Sequence, residues 1–336
     1  MKKPPVIAVV GATGLVGNEI VAVLDQRKVS AKEVRLLASK ESAGEVYKIG
    51  ESEEAVKELA LNSFEGVDIA LFATSAELSS KFVPIAVEAG AIAIDNSSFF
   101  RLDPKVPLVV PEVNPEMITE STRVIANPNC STIQLVPVLY ALHRAAGLQR
   151  VVVSTYQSVS GAGKAALDEL WEQTLSIFNQ KPFESEQFQH QIAFNCIPQI
   201  DLLMEDGFTK EEHKIINESR KILGLPDLRI TATAVRVPVL YSHAESVNVE
   251  LDRDLSVEQA AAALEKVAGV QVYPTVGDYP MQIGAAGTDE IHVGRIRKDL
   301  SVPHGLSLWV VADNVRKGAA LNAVQIAELL IQRFGV

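Results

Sequence analysis

Cysteine is scarce in this chain, which has only Cys130 and Cys196 among its 336 residues. Two thiols are too few for a disulfide framework, and neither a Cys-x-x-Cys pair nor clustered histidines suggest zinc, so we expect two reduced thiols and no metal. The neighbours of Cys196, from Ile192 to Ile197, are mostly apolar. This context predicts that Cys196 is a small hydrophobic side chain buried in the core.

Positive charge and long apolar runs are also scarce. Lys and Arg total 31 against 42 Asp and Glu, which gives a net charge of -11, and no dense block of basic residues is present. This balance argues against nucleic-acid or anionic-membrane partners. No apolar run reaches the roughly 18 residues of a membrane helix, and no early stretch has the features of a secretory signal. We therefore expect a cytoplasmic protein, without a membrane partner, that acts on small metabolites.

The composition is that of a globular protein, because hydrophobic residues make up 47% and charged residues 22% of the chain. The length predicts two domains. In residues 1–129, short apolar runs alternate with helix-length amphipathic segments, which is the pattern of a Rossmann-like, doubly wound parallel sheet. The predicted strands are residues 6–10, 34–38, 67–73, 91–94, 108–113 and 124–126. We assign residues 1–129 to a dinucleotide-binding domain.

From about residue 151 the apolar runs become longer and more strictly alternating. They predict a second, α+β domain at residues 130–314 with a mainly antiparallel sheet. Its predicted strands are residues 151–160, 229–239, 246–252, 291–297 and 306–312. A last helix, about residues 315–336, is predicted to return to the first domain.

A glycine-rich turn, Gly11-Ala12-Thr13-Gly14-Leu15-Val16-Gly17, follows the first predicted strand and opens a helix. Backbone N–H groups and the helix dipole can meet a pyrophosphate there, so the turn predicts a nicotinamide dinucleotide site. The residues predicted to bind the cofactor here are Gly11, Thr13, Gly14, Leu15 and Val16. No lysine stands four residues after any tyrosine, which excludes the Tyr-x-x-x-Lys mechanism of short-chain dehydrogenases.

Cys130 lies in Asn127-Pro128-Asn129-Cys130-Ser131-Thr132, between a strand-like run and a long apolar stretch. At the first turn of a helix, unpaired N–H groups and the positive dipole end stabilise a thiolate, so Cys130 is predicted to be a nucleophile. The alternative is a helix-start cysteine that only packs. His243 is predicted just past a strand, among small polar residues, and is the candidate acid/base. Together these features predict thiolate attack on a carbonyl, hydride transfer and a thioester intermediate.

The segment after the second predicted strand bears on the choice of cofactor. It reads Ala38-Ser39-Lys40 and lacks the acidic residue that would bind the ribose hydroxyls of NAD, which favours NADP. Ser39, Lys40 and Ser42 can offer donors and a cation to a 2′-phosphate. Glu41 and Glu45 should reduce the margin by which NADP is preferred over NAD, because a carboxylate repels a nearby phosphate unless it turns to solvent.

The whole chain resembles the aspartate-β-semialdehyde dehydrogenases through a series of motifs in order. These are residues 11–17, 39–44, 96–101, 127–132, 155–157, 160–163, 211–214, 236–243 and 312–318. The resemblance implies an enzyme that interconverts aspartyl-β-phosphate and aspartate semialdehyde with NADP and phosphate. It also implies a homodimer or homotetramer that associates through the second, catalytic and dimerisation domain.

The resemblance further implies a role for individual side chains. Cys130 would be the nucleophile, His243 the acid/base and Gln157 the residue that orients the acyl group. Arg101 and Lys214 would bind phosphate, Arg236 the α-carboxylate and Glu211 the α-ammonium group of the substrate. Further residues implied are Asn129 for substrate and Ser160, Gly161, Gly163 and Asn314 for cofactor. Without the resemblance, Glu211 and Lys214 would be assigned to an exposed helix face over residues 209–224, and Arg101 could equally be solvated.

Two alternatives remain open from the sequence. One is an N-acetyl-glutamyl-phosphate reductase, which typically carries Gly-Cys-Tyr-Pro-Thr where this chain has Asn129-Cys130-Ser131-Thr132. The other is a non-catalytic relative that keeps the fold. The acidic loop from Glu41 to Glu45 favours the second alternative, whereas the presence of both Cys130 and His243 argues against it.

Overall fold

The computed structural model of the protein describes residues 3–335. The strands are β1 (Val6–Val10), β2 (Glu33–Ala38), β3 (Val46–Ile49), β4 (Ser52–Ala55), β5 (Lys57–Glu58), β6 (Ile69–Phe72), β7 (Ile92–Asp95), β8 (Val124–Ala126), β9 (Leu148–Gln157), β10 (Arg229–Arg236), β11 (His243–Leu251), β12 (Val270–Val272), β13 (Ile291–Asp299) and β14 (Gly305–Ala312). The α-helices are α1 (Leu15–Gln26), α2 (Ala76–Glu88), α3 (Cys130–Ala146), α4 (Lys164–Phe178), α5 (Lys210–Leu223), α6 (Val257–Leu264), α7 (Gln282–Ala285) and α8 (Asn322–Phe334).

The chain divides into two compact units. The first runs up to Asn129 and resumes at Ala319, and the second runs from Cys130 to Gly318. No helix among the described residues is long and apolar enough to cross a membrane.

The first unit is built on a parallel sheet in the order β5-β2-β1-β6-β7-β8. Strand β1 is buried along its whole length because its two faces are both covered. Ile7 and Val9 pack with α1 and α8, whereas Ala8 and Val10 pack with α2. Burial on both faces explains why these strands are continuous apolar runs in the sequence. The predicted doubly wound sheet is confirmed.

One predicted strand of the first unit is wrong. Residues 108–113 are mostly buried, yet only Leu108 makes a bridge, to Ala126. The side chain of Asn114 satisfies the backbone of this segment, accepting from Val110 N at 3.0 Å and donating to Leu108 O at 2.9 Å. Prolines stand at positions 107 and 111 and cannot donate to a ladder, so the apolar run folds as a buried turn.

The second unit contains a sheet in the order β10-β9-β11-β14-β13-β12. The pairs β9–β11, β11–β14 and β13–β14 are antiparallel, and the outer pairs β9–β10 and β12–β13 are parallel. Helices α3, α5 and α6 cover one face and form the core of the unit with it. The predicted mainly antiparallel sheet is confirmed. His243 follows β10 as predicted, but β11 begins at His243 and not at residue 246.

Side chains on the covered face of this sheet lie in rows set by the strand register. Arg236, Gln157 and His243 are in register at one end of β10, β9 and β11. Because side chains alternate along a strand, the next row on the same face contains Thr155 and Glu245. Below these two rows the face is apolar and begins the core. The polar end of the sheet therefore holds several of the residues singled out by sequence.

The end of the chain differs from the single helix predicted at about residues 315–336. A π-helical segment, Arg316–Leu321, precedes α8. Residues of α8 such as Val324 and Ala327 are buried in the core of the first unit.

Candidate functional site

Cys130 is the first residue of α3, and its side chain is partly exposed. The first N–H groups of a helix have no partner within the helix, and the first turn of α3 contains no acidic residue. Both features favour a thiolate at this position. Gly318 lies against the cysteine, because a Cβ atom at position 318 would be 3.0 Å from the Cβ of Cys130. Gly318 ends the motif at residues 312–318 but had no predicted role, and it keeps the neighbourhood of the thiol free of a side chain.

His243 is fully buried. Its Nδ1 accepts a hydrogen bond from the backbone N–H of Ser158 at 3.1 Å, so the neutral ring carries its proton on Nε2. Burial, followed by the positive charge of Arg236, lowers the pKa of His243 to about 3, although Glu211 opposes this shift. The ring is therefore uncharged at neutral pH and presents an N–H group at Nε2.

Gln157 lies between this histidine and a buried carboxylate. Its Nε2 donates to Glu211 Oε1 at 3.2 Å and lies 3.4 Å from His243 Nε2. The hydroxyl of Thr155 donates to Gln157 Oε1 at 3.0 Å and fixes the orientation of the amide. Glu211 is only 4% exposed, so the assignment of its side chain to a solvated helix face is excluded.

Arg236 brings a positive charge to the same cluster. Its Nη1 donates to the backbone oxygen of Ser158 at 2.7 Å, and its guanidinium faces the ring of Phe188. Burial lowers the pKa of Arg236, and the negative charge of Glu211 opposes this effect. Gly161 lies directly beside the cluster, because a Cβ there would be 3.0 Å from Arg236 Nη1 and 3.2 Å from His243 Nε2.

Lys214 lies one turn after Glu211 on α5. Its Nζ donates to Glu211 Oε2 at 3.2 Å and to Asp201 Oδ2 at 2.7 Å. Asp201 was not found by sequence reasoning, because nothing in Pro198-Gln199-Ile200-Asp201 marks it as a partner of the helix. Burial acts to raise the pKa of Asp201, but its contacts with Lys214 outweigh burial and lower the pKa.

Asn314 organises the loop that follows β9. Its Oδ1 accepts from Ser158 Oγ and Ser160 Oγ, both at 3.1 Å, and from Ser242 N at 2.9 Å. Gly163 has a φ of +93° and begins α4. The structure thus joins Ser160 and Asn314, two predicted cofactor residues, to the neighbours of His243. Ser158, which sequence reasoning missed, is the common partner of this network.

The glycine-rich turn of the first unit has the geometry of a phosphate-binding loop. A Cβ at Gly11 would lie 2.4 Å from Ala73 O, and a Cβ at Gly17 would lie 2.0 Å from Gly11 O, so neither position accepts a side chain. Gly14 begins α1 without any side-chain cap, and the first turn of this helix has no acidic residue. The helix N-terminus, including Leu15 and Val16, is therefore able to bind an anion. These residues fit a dinucleotide.

The loop after β2 combines donors with a carboxylate. Ser39 and Lys40 are exposed, and Thr13 Oγ1 donates to Ser42 Oγ at 3.2 Å. The hydroxyl of Ser39 is hydrogen-bonded to the side chain of Glu41, and this contact lowers the pKa of Glu41. Glu41 thus lies beside one of the groups predicted to bind a 2′-phosphate.

Arg101 and Asn129 belong to the first unit, and both are buried. The guanidinium of Arg101 donates from Nε to Asn127 O at 2.9 Å and from Nη2 to Asn96 O at 2.6 Å. These bonds hold the arginine against the segment that leads to Cys130 in the sequence. A solvated Arg101 is therefore excluded.

The prediction for Cys196 is wrong, because this thiol is exposed. The segment is irregular, with Phe194 at a φ of +61°. The side chains of Ile192, Ala193 and Ile197 pack in a core cluster, whereas that of Cys196 does not. Apolar neighbours predict burial only where a regular helix or strand fixes which side chains share a face.

The parallel sheet with its glycine-rich first turn, joined to a second unit with a mixed sheet, defines a dehydrogenase-type α/β protein. Comparison with known families gives two matches. Residues 6–121 match the semialdehyde dehydrogenase NAD binding domain, and residues 139–317 match the semialdehyde dehydrogenase dimerisation domain.

Individual relatives match over nearly their whole length. The chain is 49% identical over 331 residues to aspartate-semialdehyde dehydrogenase 2 of Vibrio cholerae, covering 98% of each chain. It is 49% identical over 332 residues to aspartate-semialdehyde dehydrogenase of Aquifex aeolicus, covering 97% of this chain and 98% of the relative. A crystal structure of aspartate semialdehyde dehydrogenase II of Vibrio cholerae, complexed with ASA, superposes with a TM-score of 0.97 at 48% identity, covering 99% of each chain.

The chain therefore belongs to the semialdehyde dehydrogenase family, whose members are oxidoreductases with an NAD(P)-binding domain and a dimerisation domain. The resemblance drawn from the sequence motifs is confirmed.

Proposed function

We propose that the protein catalyses the NADP-dependent interconversion of L-aspartyl-4-phosphate and L-aspartate 4-semialdehyde through a thioester on Cys130. The observation that carries this proposal is the buried cluster in which Gln157, Glu211 and Arg236 surround His243. Membership of the family and the names of relatives at 49% identity support it. The reaction belongs to the biosynthesis of diaminopimelate, lysine, threonine and methionine, in the cytoplasm.

The charges of the cluster suit a zwitterionic amino-acid substrate. Arg236 offers a planar fork that matches the α-carboxylate, and Glu211 offers a carboxylate to the α-ammonium group. Lys214 supplies a point charge for phosphate, and Arg101 is the second proposed phosphate ligand. Burial strengthens these contacts, because Glu211 and Arg236 are 4% and 6% exposed and little water screens them.

The side chains of the second unit can carry the covalent steps. The thiolate of Cys130 attacks the carbonyl carbon of the acyl phosphate. The bond between this carbon and the phosphate oxygen breaks, inorganic phosphate leaves, and the acyl group remains on Cys130 as a thioester. Gln157 orients the acyl oxygen. His243 holds or releases a proton at Nε2 as the carbon centre changes from thioester to aldehyde. When bound, the cofactor would supply the hydride chemistry: its reduced form, NADPH, would give a hydride to the thioester, and its oxidised form, NADP, would receive one in the reverse direction.

Several residues support NADP as the cofactor. Gly11 and Gly17 keep the turn close to its own backbone, and Gly14 leaves the start of α1 without a side-chain cap, where the pyrophosphate would bind. Ser39, Lys40 and Ser42 would hold the 2′-phosphate, and Ser160, Gly161, Gly163 and Asn314 would complete the nicotinamide end. The carboxylate of Glu41 is hydrogen-bonded to Ser39 and so lies near the proposed 2′-phosphate site. We therefore propose that NADP is preferred over NAD by a smaller margin than a basic loop would give.

The second face of the second unit's sheet, which α7 covers in part, supports association into a homodimer, the building block of any homotetramer. Tyr156 on β9 is 37% exposed, and its ring packs at 5.3 Å from that of the partly buried Trp309 on β14. Met281, just before α7, is 57% exposed. Exposed large apolar side chains of this kind are typical of protein interfaces. The match of residues 139–317 to a dimerisation domain agrees with this proposal.

A direct assay tests the proposed activity. Purified protein is mixed with aspartate semialdehyde, phosphate and NADP, and the absorbance of the reduced cofactor is followed. We expect turnover that requires phosphate, with N-acetyl-glutamate semialdehyde as the control substrate and the Cys130→Ala variant as the control protein. Turnover of the N-acetylated compound alone would instead identify an N-acetyl-glutamyl-phosphate reductase, and no turnover of either would favour a non-catalytic relative.

A further inference from the structure

Glu245 is a fully buried carboxyl group that the proposed mechanism does not use. It follows His243 by two residues on β11, so both side chains point to the face covered by α3. Its partners in register are Thr155 on β9 and Val310 on β14. Glu245 therefore lies one row below His243, between the polar cluster and the apolar core.

The row that contains Glu245 already supports the cluster at a second point. Thr155, its neighbour in register, donates its hydroxyl to Gln157 Oε1 at 3.0 Å. A side chain of the lower row thus orients a side chain of the upper row. Glu245 is placed to do the same toward α3, which covers this face.

The side chain next to Glu245 is that of Gln134, which is also fully buried. Gln134 lies one helical turn after Cys130 on α3, and its Nε2 donates to the backbone oxygen of His243 at 3.4 Å. Within the described residues, neither carboxyl oxygen of Glu245 has a hydrogen-bond partner, and Gln134 Oε1 has none either. Two buried acceptor groups thus lie side by side, each lacking a donor.

A proton on Glu245 resolves this arrangement. A protonated carboxyl can donate to Gln134 Oε1 and satisfy both groups with one bond, whereas a carboxylate would repel the amide oxygen. Turning the amide of Gln134 over would place its oxygen against the His243 carbonyl instead. Burial raises the pKa of Glu245 well above its usual value; the contact with the Gln134 amide opposes this shift, and the charge of Glu211 adds to it. Burial therefore favours the neutral carboxyl, the form that the two unsatisfied acceptor groups require.

We propose that Glu245 is a positioning residue that donates its proton to Gln134 and so holds the helix carrying Cys130 in place against the strand carrying His243. The bond links two elements that bring the proposed nucleophile and acid/base from distant parts of the sequence. This inference rests on the proposed roles of Cys130 and His243.

Two substitutions separate the hydrogen bond from simple packing. In Glu245→Gln an amide replaces the acid and still donates to Gln134, so we expect kcat within about twofold of wild type. In Glu245→Leu no donor remains, and we expect kcat to fall about 10- to 100-fold, because small misplacements of reacting groups are costly. KM for the semialdehyde should change little, since the substrate-binding charges are untouched.

Val247→Ala is the matched control. Val247 is the next residue of β11 on the same face and is fully buried, so its truncation leaves a cavity without breaking a polar contact. It should lower the melting temperature and leave kcat unchanged. Gln134→Leu also removes the bond to the His243 carbonyl, so it should lower kcat at least as much as Glu245→Leu, and the double variant should lose no more than Gln134→Leu alone. A double variant whose losses multiply, or a Glu245→Leu variant with wild-type kcat, would overturn the proposal.

Alkylation of Cys130 provides a readout without substrate, so it remains informative if the proposed reaction is wrong. The charged and titratable groups of the buried cluster next to Glu245 are Glu211 on α5, Arg236 on β10 and His243 on β11, and Cys130 begins α3. We expect the dependence of the alkylation rate on pH to be the same in wild type and Glu245→Gln, since both are neutral at position 245. A shift to lower pH in Glu245→Gln would show that the variant had lost a negative charge, and would overturn the proposal.

Discussion

The glycine-rich turn of the first unit and the charged cluster of the second unit differ in which part of the chain forms the site. The turn works through its backbone, because Gly11 and Gly17 leave no space for a side chain and Gly14 leaves the start of α1 uncapped. The cluster works through side chains from β9, β10, β11 and α5, each dependent on the others for charge or hydrogen bonds. The turn is thus specified by a few adjacent residues, whereas the cluster exists only in the folded second unit.

The largest effect should come from the cysteine at the helix start. Cys130→Ala should lower kcat by about four orders of magnitude or more, since the proposed covalent route is lost. Cys196→Ala is the control and should keep most of the activity, because Cys196 is exposed in an irregular segment away from any helix start. Steady-state kinetics of both variants make the test. Activity that survived in Cys130→Ala would show that the cluster does not act through this thiol.

Within the cluster, Arg236 and Lys214 should separate two kinds of binding. Arg236→Lys keeps the charge but loses the fork, so KM for aspartate semialdehyde should rise about 10- to 100-fold. Lys214→Ala should raise KM for phosphate by about tenfold, with a smaller effect on the semialdehyde. Initial rates with each substrate varied in turn give both constants. If the two variants raised the same constant only, the division of roles between them would be wrong.

The buried His243 should make stability depend on pH. The unfolded ring takes up a proton below about pH 6.5, whereas the folded ring does so only near its pKa of about 3. Between these values the unfolded state binds more protons, so the free energy of unfolding should fall as pH falls, by up to about 1.4 kcal/mol per pH unit. Urea unfolding at several pH values should show a steeper slope in wild type than in His243→Gln, in which only the other groups with lowered pKa values, such as His292, still contribute.

The control for that experiment is His190→Gln, since His190 is exposed. Its unfolding free energy should follow wild type across the same pH range. Parallel curves for wild type and His243→Gln would mean that His243 is not held neutral by the fold.

The smallest effect is expected in the first unit, at the exposed Glu41. Replacing it with arginine should raise the ratio of kcat/KM with NADP to that with NAD by about threefold, as expected for one exposed charge. Fluorescence titration gives the corresponding ratio of the dissociation constants of the two cofactors without turnover. Glu45→Arg is the comparison variant. A wild-type ratio below one would contradict the preference for NADP, and an unchanged ratio in Glu41→Arg would place this carboxylate away from the 2′-phosphate.

The two regions also differ in how far sequence reasoning reached. Strands β1 and β8 and the glycine turn were predicted from local patterns, because burial on both faces and positive φ leave clear marks in the chain. Residues 108–113 were wrongly predicted to form a strand. Their backbone groups bond to the side chain of Asn114 and not to a row of neighbouring strand residues, which the apolar pattern does not reveal.

In the second unit, Cys130 and His243 were found from their local context. Glu211 and Lys214 were identified only through the family resemblance, because α5 by itself has the charge pattern of a solvated helix. Asp201, Ser158 and Gly318 left no local mark, since their positions depend on contacts made after folding. The burial of a residue in an irregular segment, as at Cys196, is equally hidden.

The most direct test of the central claim is to trap the thioester. Protein is mixed with aspartate semialdehyde and NADP in the absence of phosphate, quenched in acid and analysed by peptide mass spectrometry, while the reduced cofactor formed in the burst is measured. We predict an acyl adduct on the peptide containing Cys130, about one reduced cofactor per active site, and loss of the adduct when phosphate is added. An adduct on Cys196, or a burst of reduced cofactor with Cys130 unmodified, would contradict the account.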